Sequence, residues 1–118
     1  MSGEVSFFEL GVGDPEKARA FYGGLFDSWR FEPGPPGDGY VISTGSIPGG
    51  IHGGDPGASV WVFFSVPDLH AALAKVRKLG GEGKPLDESE ENVAEFGRFA
   101  VCKDDQGSGF GLHQQPAG

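Results

Sequence analysis

The chain has 118 residues, the size of one ordinary domain, and its 22 glycines and nine prolines indicate many tight turns. Ten phenylalanines, two tryptophans and two tyrosines supply enough apolar volume for a packed core, which excludes a disordered chain. Seventeen acidic against nine basic residues give a net charge of −8, which argues against nucleic-acid and membrane-surface partners because both attract clusters of Lys and Arg.

The cysteine count and the apolar segments bear on the cellular compartment. Cys102 is the single cysteine, so it has no partner for an internal disulfide and is expected to be a small core residue. Residues 1–11 lack the basic region and the long apolar stretch of a signal peptide. The most apolar run, 60–66, is too short to cross a bilayer, so the expected location is cytoplasmic.

The first half of the chain predicts a strand, a helix and shorter extended pieces. The strand covers 4–12, and Asp14 and Pro15 are the residue types that favour the start of a helix. Four apolar residues then recur at helical spacing and are expected to face the core: Ala18, Phe21, Tyr22 and Leu25. Two extended pieces follow, at 29–32 and 40–44, and the turn PGPPGDG at 33–39 separates them. A glycine-rich segment at 45–57 completes this half.

The second half repeats the pattern. The strand 59–66 is the most strongly predicted strand, and Asp68 opens a second helix that ends at Gly80. The apolar face of this helix consists of Leu69, Ala72, Leu73, Val76 and Leu79. An acidic loop and two strands follow, at 87–95, 98–103 and 110–114.

The similarity between the halves is an internal repeat. Asp14 and Asp68 are 54 residues apart, and so are four further pairs: Val12 and Val66, Ala18 and Ala72, Ala20 and Ala74, and Leu25 and Leu79. A solenoid needs three or more repeats, so two copies indicate a pair of related modules. The sequence predicts an α+β fold with two strand–helix–strand–strand–strand modules, at about 4–57 and 58–115.

Three segments carry a family resemblance: FFELGVGDPEKARAFYGGLF, SVWVFFSVPDLHAALAKVRKLGGEG and GRFAVCKDDQGSGFGLHQ. They resemble the vicinal-oxygen-chelate superfamily, which includes glyoxalase I, bleomycin-resistance proteins and extradiol dioxygenases, over about 4–115. The resemblance implies a single glyoxalase-like domain over 1–118, whose two βαβββ modules form a partly open barrel around a cleft. It also implies a homodimer.

Strand alternation predicts which side chains face that cleft. Phe8, Leu10 and Val12 should pack on the first helix, and Val62, Phe64 and Val66 on the second. Phe110 and Leu112 are expected in the core of the last strand. The opposite faces of the three strands then present Phe7, Glu9, Trp61, Phe63, Ser65, Gly109, Gly111 and His113.

The resemblance also locates the positions at which metal-dependent members carry their ligands. Here these positions are Phe7, Trp61, Gly111 and one residue within 49–54. Phe and Gly have no donor atom, and the Trp indole N–H only donates a hydrogen bond, so at most His52 remains as a ligand. Because a catalytic zinc site needs three protein ligands, we expect no metal and no cofactor. A displaced site from Glu9, His52 and His113 is the alternative.

Each candidate also has a purely structural interpretation. Glu9 could be a solvated rim residue or the partner of Arg98, and Trp61 and Phe63 could belong to the core or to a dimer interface. His113 could be an exposed strand residue and His70 a solvated helix residue. His52 lies in a glycine-rich segment, where a loop could close over a ligand. Asp14 and Asp68 are explained as helix caps, and 88–91 as a solvated loop.

We therefore predict a metal-independent protein that binds an aromatic or cationic organic ligand through Phe7, Glu9, His52, Trp61, Phe63 and His113. The alternative is a lyase, isomerase or dioxygenase that acts on a small carbonyl or aromatic substrate, with Glu9 or His113 as general base. A third possibility is a structural or regulatory dimer with an empty cleft. Strand edges and an exposed aromatic face around Trp61 and Phe63 predict a homodimer.

Overall fold

The computed structural model describes residues 3–34 and 39–117, so part of the predicted turn at 33–39 lies outside the described residues. The elements, in chain order, are β1 (Val5–Gly11), α1 (Pro15–Leu25), β2 (Arg30–Pro33), β3 (Tyr40–Ser43), β4 (Pro48–His52), β5 (Trp61–Ser65), α2 (Leu69–Lys78), β6 (Glu82–Pro85), α3 (Glu90–Phe96), β7 (Arg98–Lys103) and β8 (Gly109–Gln114). None of these helices has the length and apolar character needed to cross a membrane.

The chain divides into two units with the same strand arrangement. The first unit contains residues 7–61, and the second contains residues from 62 onward together with the N-terminal residues up to Ser6. The strand order is β2-β3-β4-β1 in the first unit and β5-β8-β7-β6 in the second. In each unit the first and last strands pair in parallel, and the other neighbours pair antiparallel. The predicted α+β fold with two βαβββ modules is therefore confirmed.

In the first unit, the helix-facing side of β1 builds the core. Asp14 caps α1, because its carboxylate accepts hydrogen bonds from the backbone N–H groups of Glu16 and Lys17 at 2.9 and 3.3 Å. The buried residues are Leu10, Ala18, Ile42 and Ile51, and Phe8, Val12, Tyr22, Trp29, Phe31 and Tyr40 pack around them. The predicted assignment of Phe8, Leu10 and Val12 to the helix face is confirmed.

The apolar stripe predicted for α1 is only partly buried. Phe21 and Leu25 are 64% and 59% exposed, so the prediction that both face the core is wrong. The aromatic side chain of Trp29 stacks on Tyr22 at 6.0 Å and lies 5.7 Å from Phe8. Aromatic side chains from outside α1 cover the buried residues, so the last turn of the helix does not contribute buried side chains to the core.

In the second unit, α2 packs on β7 and β8 through the predicted face. The Asp68 carboxylate accepts from the N–H of Ala71 at 3.1 Å and caps the helix. The buried cluster is Leu69, Leu73, Ala100, Cys102 and Leu112, with Val66, Ala72, Val76 and Phe110 against it. Cys102 is a buried free thiol, and burial raises its pKa, as expected for a core residue. Leu79 is exposed, contrary to prediction.

Three elements lie where the sequence did not predict them. The acidic loop contains α3, which begins where the Ser89 hydroxyl accepts a hydrogen bond from the N–H of Asn92 at 3.3 Å. The glycine-rich segment contains β4, and β6 lies at Glu82–Pro85. Glycine is required in β4 because a Cβ on Gly49 would meet the Phe8 ring at 2.3 Å. The absent side chain leaves room for the aromatic ring on the neighbouring strand.

Candidate functional site

Two histidines occupy equivalent positions in the two units. In the first unit, Gly11 on β1 lies opposite His52 on β4. In the second unit, Ser65 on β5 lies opposite His113 on β8. Gly11 and Ser65 are 54 residues apart, which is the offset of the internal repeat. Each histidine therefore stands near the end of the last strand of its module, beside the first strand.

In the first unit, His52 lies between two carboxylates. Its Nδ1 is 2.9 Å from Glu9 Oε2, and its Nε2 is 3.1 Å from Asp55 Oδ2. The parallel pairing of β1 with β4 brings Glu9 to the ring, and the loop after β4 brings Asp55. The side chains of Glu9, His52 and Asp55 are 25%, 37% and 55% exposed, so the row runs from a half-buried carboxylate to a solvent-exposed one.

Two glycines make room for this row. A Cβ on Gly11 would lie 2.9 Å from both His52 Nε2 and Asp55 Oδ2. A Cβ on Gly50 would lie 2.8 Å from Glu9 Oε1. These distances are shorter than ordinary van der Waals contacts, so side chains at Gly11 and Gly50 would displace the three polar groups.

The surroundings favour a protonated His52. Burial alone would lower the pKa of the imidazole, but the hydrogen bonds and negative charges of Glu9 and Asp55 outweigh it, and the pKa is raised above 6.5. A folded-state pKa above the unfolded value adds stability below pH 6.5, and that contribution is lost as the pH rises through the folded pKa.

In the second unit, the equivalent histidine is part of the packed interior. His113 and Phe63 are each 4% exposed. His113 Nε2 donates to the Phe96 carbonyl at 2.9 Å, so its Nδ1 accepts from the Ser6 hydroxyl at 2.9 Å. The ring stacks on Phe99 at 4.3 Å, and burial lowers its pKa. The expectation of an exposed aromatic face is wrong for Phe63, whose ring covers Gly111 and packs edge-on against Phe99.

The other predicted site residues have mixed surroundings. Phe7 and Trp61 are half-buried. Within the described part of the chain, the indole Nε1 of Trp61 is the buried side-chain polar atom that has no hydrogen-bond partner. A buried donor without an acceptor is rare in folded proteins and marks a place where a water or ligand atom could bind. The role of both residues as ligand contacts stays a prediction.

Arg98 and His70 share one acidic partner, Glu88, so His70 is not simply solvated. Arg98 donates to Glu88 Oε2 at 2.5 Å, and His70 Nε2 bonds the same oxygen at 2.8 Å. Glu88 lies in the segment that was predicted to be a solvated loop. It therefore connects His70 on α2 with Arg98 on β7. Its two basic partners hold the pKa of the Glu88 carboxyl below its usual range.

A metal ion does not fit the residues that surround His52. Over residues 3–34 and 39–117, no three His, Cys, Asp or Glu side chains are grouped so as to hold a metal ion. Both ring nitrogens of His52 already bond carboxylates, on opposite sides of the ring, so the three side chains do not converge on one point. His113 uses both nitrogens in protein contacts, which weakens the displaced site of Glu9, His52 and His113.

Comparison with solved structures identifies the fold. A hypothetical protein from Bacillus halodurans C-125 matches with a TM-score of 0.73 and 11% identity, over 100% of this chain and 98% of that one. Homoprotocatechuate 2,3-dioxygenase from Brevibacterium fuscum, in complex with 3,4-dihydroxyphenylacetate, matches with a TM-score of 0.71 and 18% identity, over 98% and 37% of the chains. The fold is that of the extradiol dioxygenases.

A third match is 2,2',3-trihydroxybiphenyl 1,2-dioxygenase from Sphingomonas wittichii strain RW1, with a TM-score of 0.62, 15% identity and coverage of 99% and 42%. This chain thus spans less than half the length of both dioxygenases. No protein-family model matches the sequence, and no curated protein matches it significantly. The structural likeness establishes the fold.

Sequence reasoning missed two polar partners, Asp55 and Ser6. Asp55 follows His52 by three residues in a loop, and this short His-x-x-Asp spacing was the available signal. Ser6 lies 107 residues before its partner His113, so no local pattern could reveal their contact.

Proposed function

We propose that the chain binds a small aromatic or cationic organic ligand, without a metal ion, at the first unit. The hydrogen-bonded row of Glu9, His52 and Asp55 carries this proposal. Two carboxylates share one imidazolium, so the row has a net negative charge that attracts a cation or a hydrogen-bond donor. Phe63 and His113 are left out of the proposed site because both are buried in the second unit.

Two aromatic residues of the same unit support an aromatic ligand. Phe7 is two residues before Glu9 on β1, so strand alternation places both on one face of the strand. Trp61 offers the buried indole N–H that has no acceptor among the described residues. Aromatic side chains supply most of the burial energy in small-molecule sites, and a few polar groups orient the ligand.

Truncating Trp61 to Ala should weaken binding of the best ligand by about 1–3 kcal/mol, roughly the value of burying one large apolar side chain. The ligand is first found by titrating a panel of cationic, neutral and anionic aromatic compounds, and calorimetry then compares the variants. Glu9→Gln should weaken only the cationic ligands.

The matched control lies in the same unit. Glu32→Gln removes an exposed carboxylate that is not part of the row, so it should leave binding unchanged. Binding that is indifferent to both Trp61→Ala and Glu9→Gln would refute the proposed site.

An enzyme is the second candidate, because the contact between Glu9 and His52 could move a proton. It would be a lyase, isomerase or dioxygenase acting on a small carbonyl or aromatic substrate, and the named fold neighbours with known activity are dioxygenases. Glu9 is the better of the two predicted bases, since burial and two hydrogen bonds occupy His113. Stoichiometric metal in the purified protein that disappears in His52→Ala would favour this candidate over metal-free binding.

We also propose that the chain forms a homodimer in the cytoplasm. Phe21, Leu25 and Phe26 leave a large apolar surface exposed around the end of α1, and exposed patches of this kind usually mark association. Sedimentation velocity at tens of micromolar (about ten times a micromolar dissociation constant) should show a dimer. A monomer at that concentration would contradict the proposal.

A further inference from the structure

The two hydrogen bonds of the His52 ring require a proton on each nitrogen. Carboxylates only accept hydrogen bonds, so both contacts are complete when the ring is protonated. A neutral imidazole has one N–H, and it must give up one of the two bonds. The structure indicates which one, because the Glu9 side chain is the more buried partner and Asp55 is exposed to water.

Losing the contact to Glu9 would cost more than losing the contact to Asp55. Water competes less for a hydrogen bond to a half-buried carboxylate than for one to an exposed carboxylate, so the contact to Glu9 is the stronger of the two. The neutral ring therefore keeps its hydrogen on Nδ1, facing Glu9, and carries a lone pair on Nε2. The carboxylate of Asp55 is repelled by that lone pair.

The loop backbone stays in place when the Asp55 side chain moves. The N–H of Asp55 donates to the Val12 carbonyl at 2.9 Å, and that of Gly54 donates to the Gly13 carbonyl at 3.3 Å. These bonds do not involve the Asp55 side chain, so its carboxylate can rotate away from Nε2 while the backbone keeps them. Among the described residues, the charged side chains that contact the ring are Glu9 from β1 and Asp55 from the loop after β4, and Gly39, just before β3, has no side chain.

We propose that Nε2 of His52 is the hydrogen-bond acceptor for the ligand, that Asp55 is a removable cover over it, and that Glu9 is the positioning residue that holds the ring. This inference rests on the proposed ligand site in the first unit. The ligand class that it specifies is an aromatic compound with a weakly acidic hydroxyl, whose O–H donates to Nε2 in place of the water or carboxylate there.

The first test needs no ligand. Long-range ¹H–¹⁵N NMR spectra of the labelled protein, recorded through the titration of His52, report which ring nitrogen carries the hydrogen. Neutral His52 should be the Nδ1–H tautomer, while His113 should be the Nε2–H tautomer because it donates to the Phe96 carbonyl. His70, on the exposed end of α2, provides a third reference signal.

Two variants separate the roles of the carboxylates. Asp55→Ala should lower the pKa of His52 and keep the Nδ1–H tautomer. Glu9→Ala should lower the pKa as well but lose the preference for Nδ1–H. An Nε2–H tautomer for neutral His52 in the unmodified protein would overturn the inference, and it would leave the ligand site of the first unit untouched.

The second test uses phenol and its methyl ether, anisole, as probes. Phenol affinity should rise about tenfold from one pH unit below the His52 pKa to one unit above it, because only the neutral ring accepts the O–H. Anisole has no hydrogen-bond donor, so its affinity should not change as His52 loses its proton. Asp55→Ala should shift the phenol profile to lower pH. Phenol binding without this pH dependence would refute the role of Nε2, whereas binding of neither probe would count against the proposed site itself.

Discussion

Gly111→Ala should destabilise the protein by about 1–3 kcal/mol, the usual cost of overpacking a well-packed core. An added Cβ would lie 2.2 Å from the Phe63 ring, which is buried and packs edge-on against Phe99 at 5.3 Å. Because the Phe63 ring is buried, either the ring or the strand backbone must shift within the packed core to make room. Denaturant unfolding followed by circular dichroism measures the loss as a lower midpoint at an unchanged slope.

The internal repeat supplies the control for this prediction. Gly50 is equivalent to Gly111, since Glu9 faces Gly50 in the first unit as Phe63 faces Gly111 in the second. A Cβ on Gly50 would meet the tip of the Glu9 side chain at 2.8 Å, and that flexible group can turn away. Gly50→Ala should therefore cost much less stability. Equal losses for the two variants would show that backbone effects of glycine, and not the Phe63 ring, set the cost.

Truncation of His113 should cost about 2–5 kcal/mol, the range for removing a large buried side chain. His113→Ala leaves a cavity beside Phe99 and deprives the Ser6 hydroxyl and the Phe96 carbonyl of their partners. His52→Ala at the equivalent, half-exposed position should cost less than about 1 kcal/mol. Equal costs at the two positions would contradict the contrast in burial.

The cost of losing His113 should also depend on pH. Burial lowers its pKa below 6.5, so the folded state binds fewer protons than the unfolded state as the medium becomes acidic. The stability that His113 contributes is therefore complete above pH 6.5 and is lost as the pH falls through the folded pKa. The difference in unfolding free energy between the unmodified protein and His113→Ala should shrink from about pH 8 to about pH 5. A constant difference would mean that the pKa of His113 is the same in the folded and the unfolded state.

The short-range features of the fold could be predicted from the sequence because they depend on neighbouring residues. Asp14 and Asp68 cap helices as their positions before an apolar periodicity indicated. The alternation of β1 correctly assigned Phe8 and Leu10 to the core, and the offset of 54 residues gave the two modules. The segment 45–57 concealed β4, since its glycines fit against side chains of a strand that is distant in the sequence.

The site depended on the tertiary structure. Glu9 and His52 are 43 residues apart, and only the parallel pairing of β1 with β4 brings their side chains within hydrogen-bond distance. The two equivalent histidines show the same dependence. His52 lies between carboxylates, which raise its pKa, whereas His113 lies among an aromatic ring, a hydroxyl and a carbonyl in a buried space, which lowers its pKa. The sequence by itself determined that a histidine stands at each position, but the packing around each ring decided its charge, because desolvation and nearby charges act through space and not along the chain.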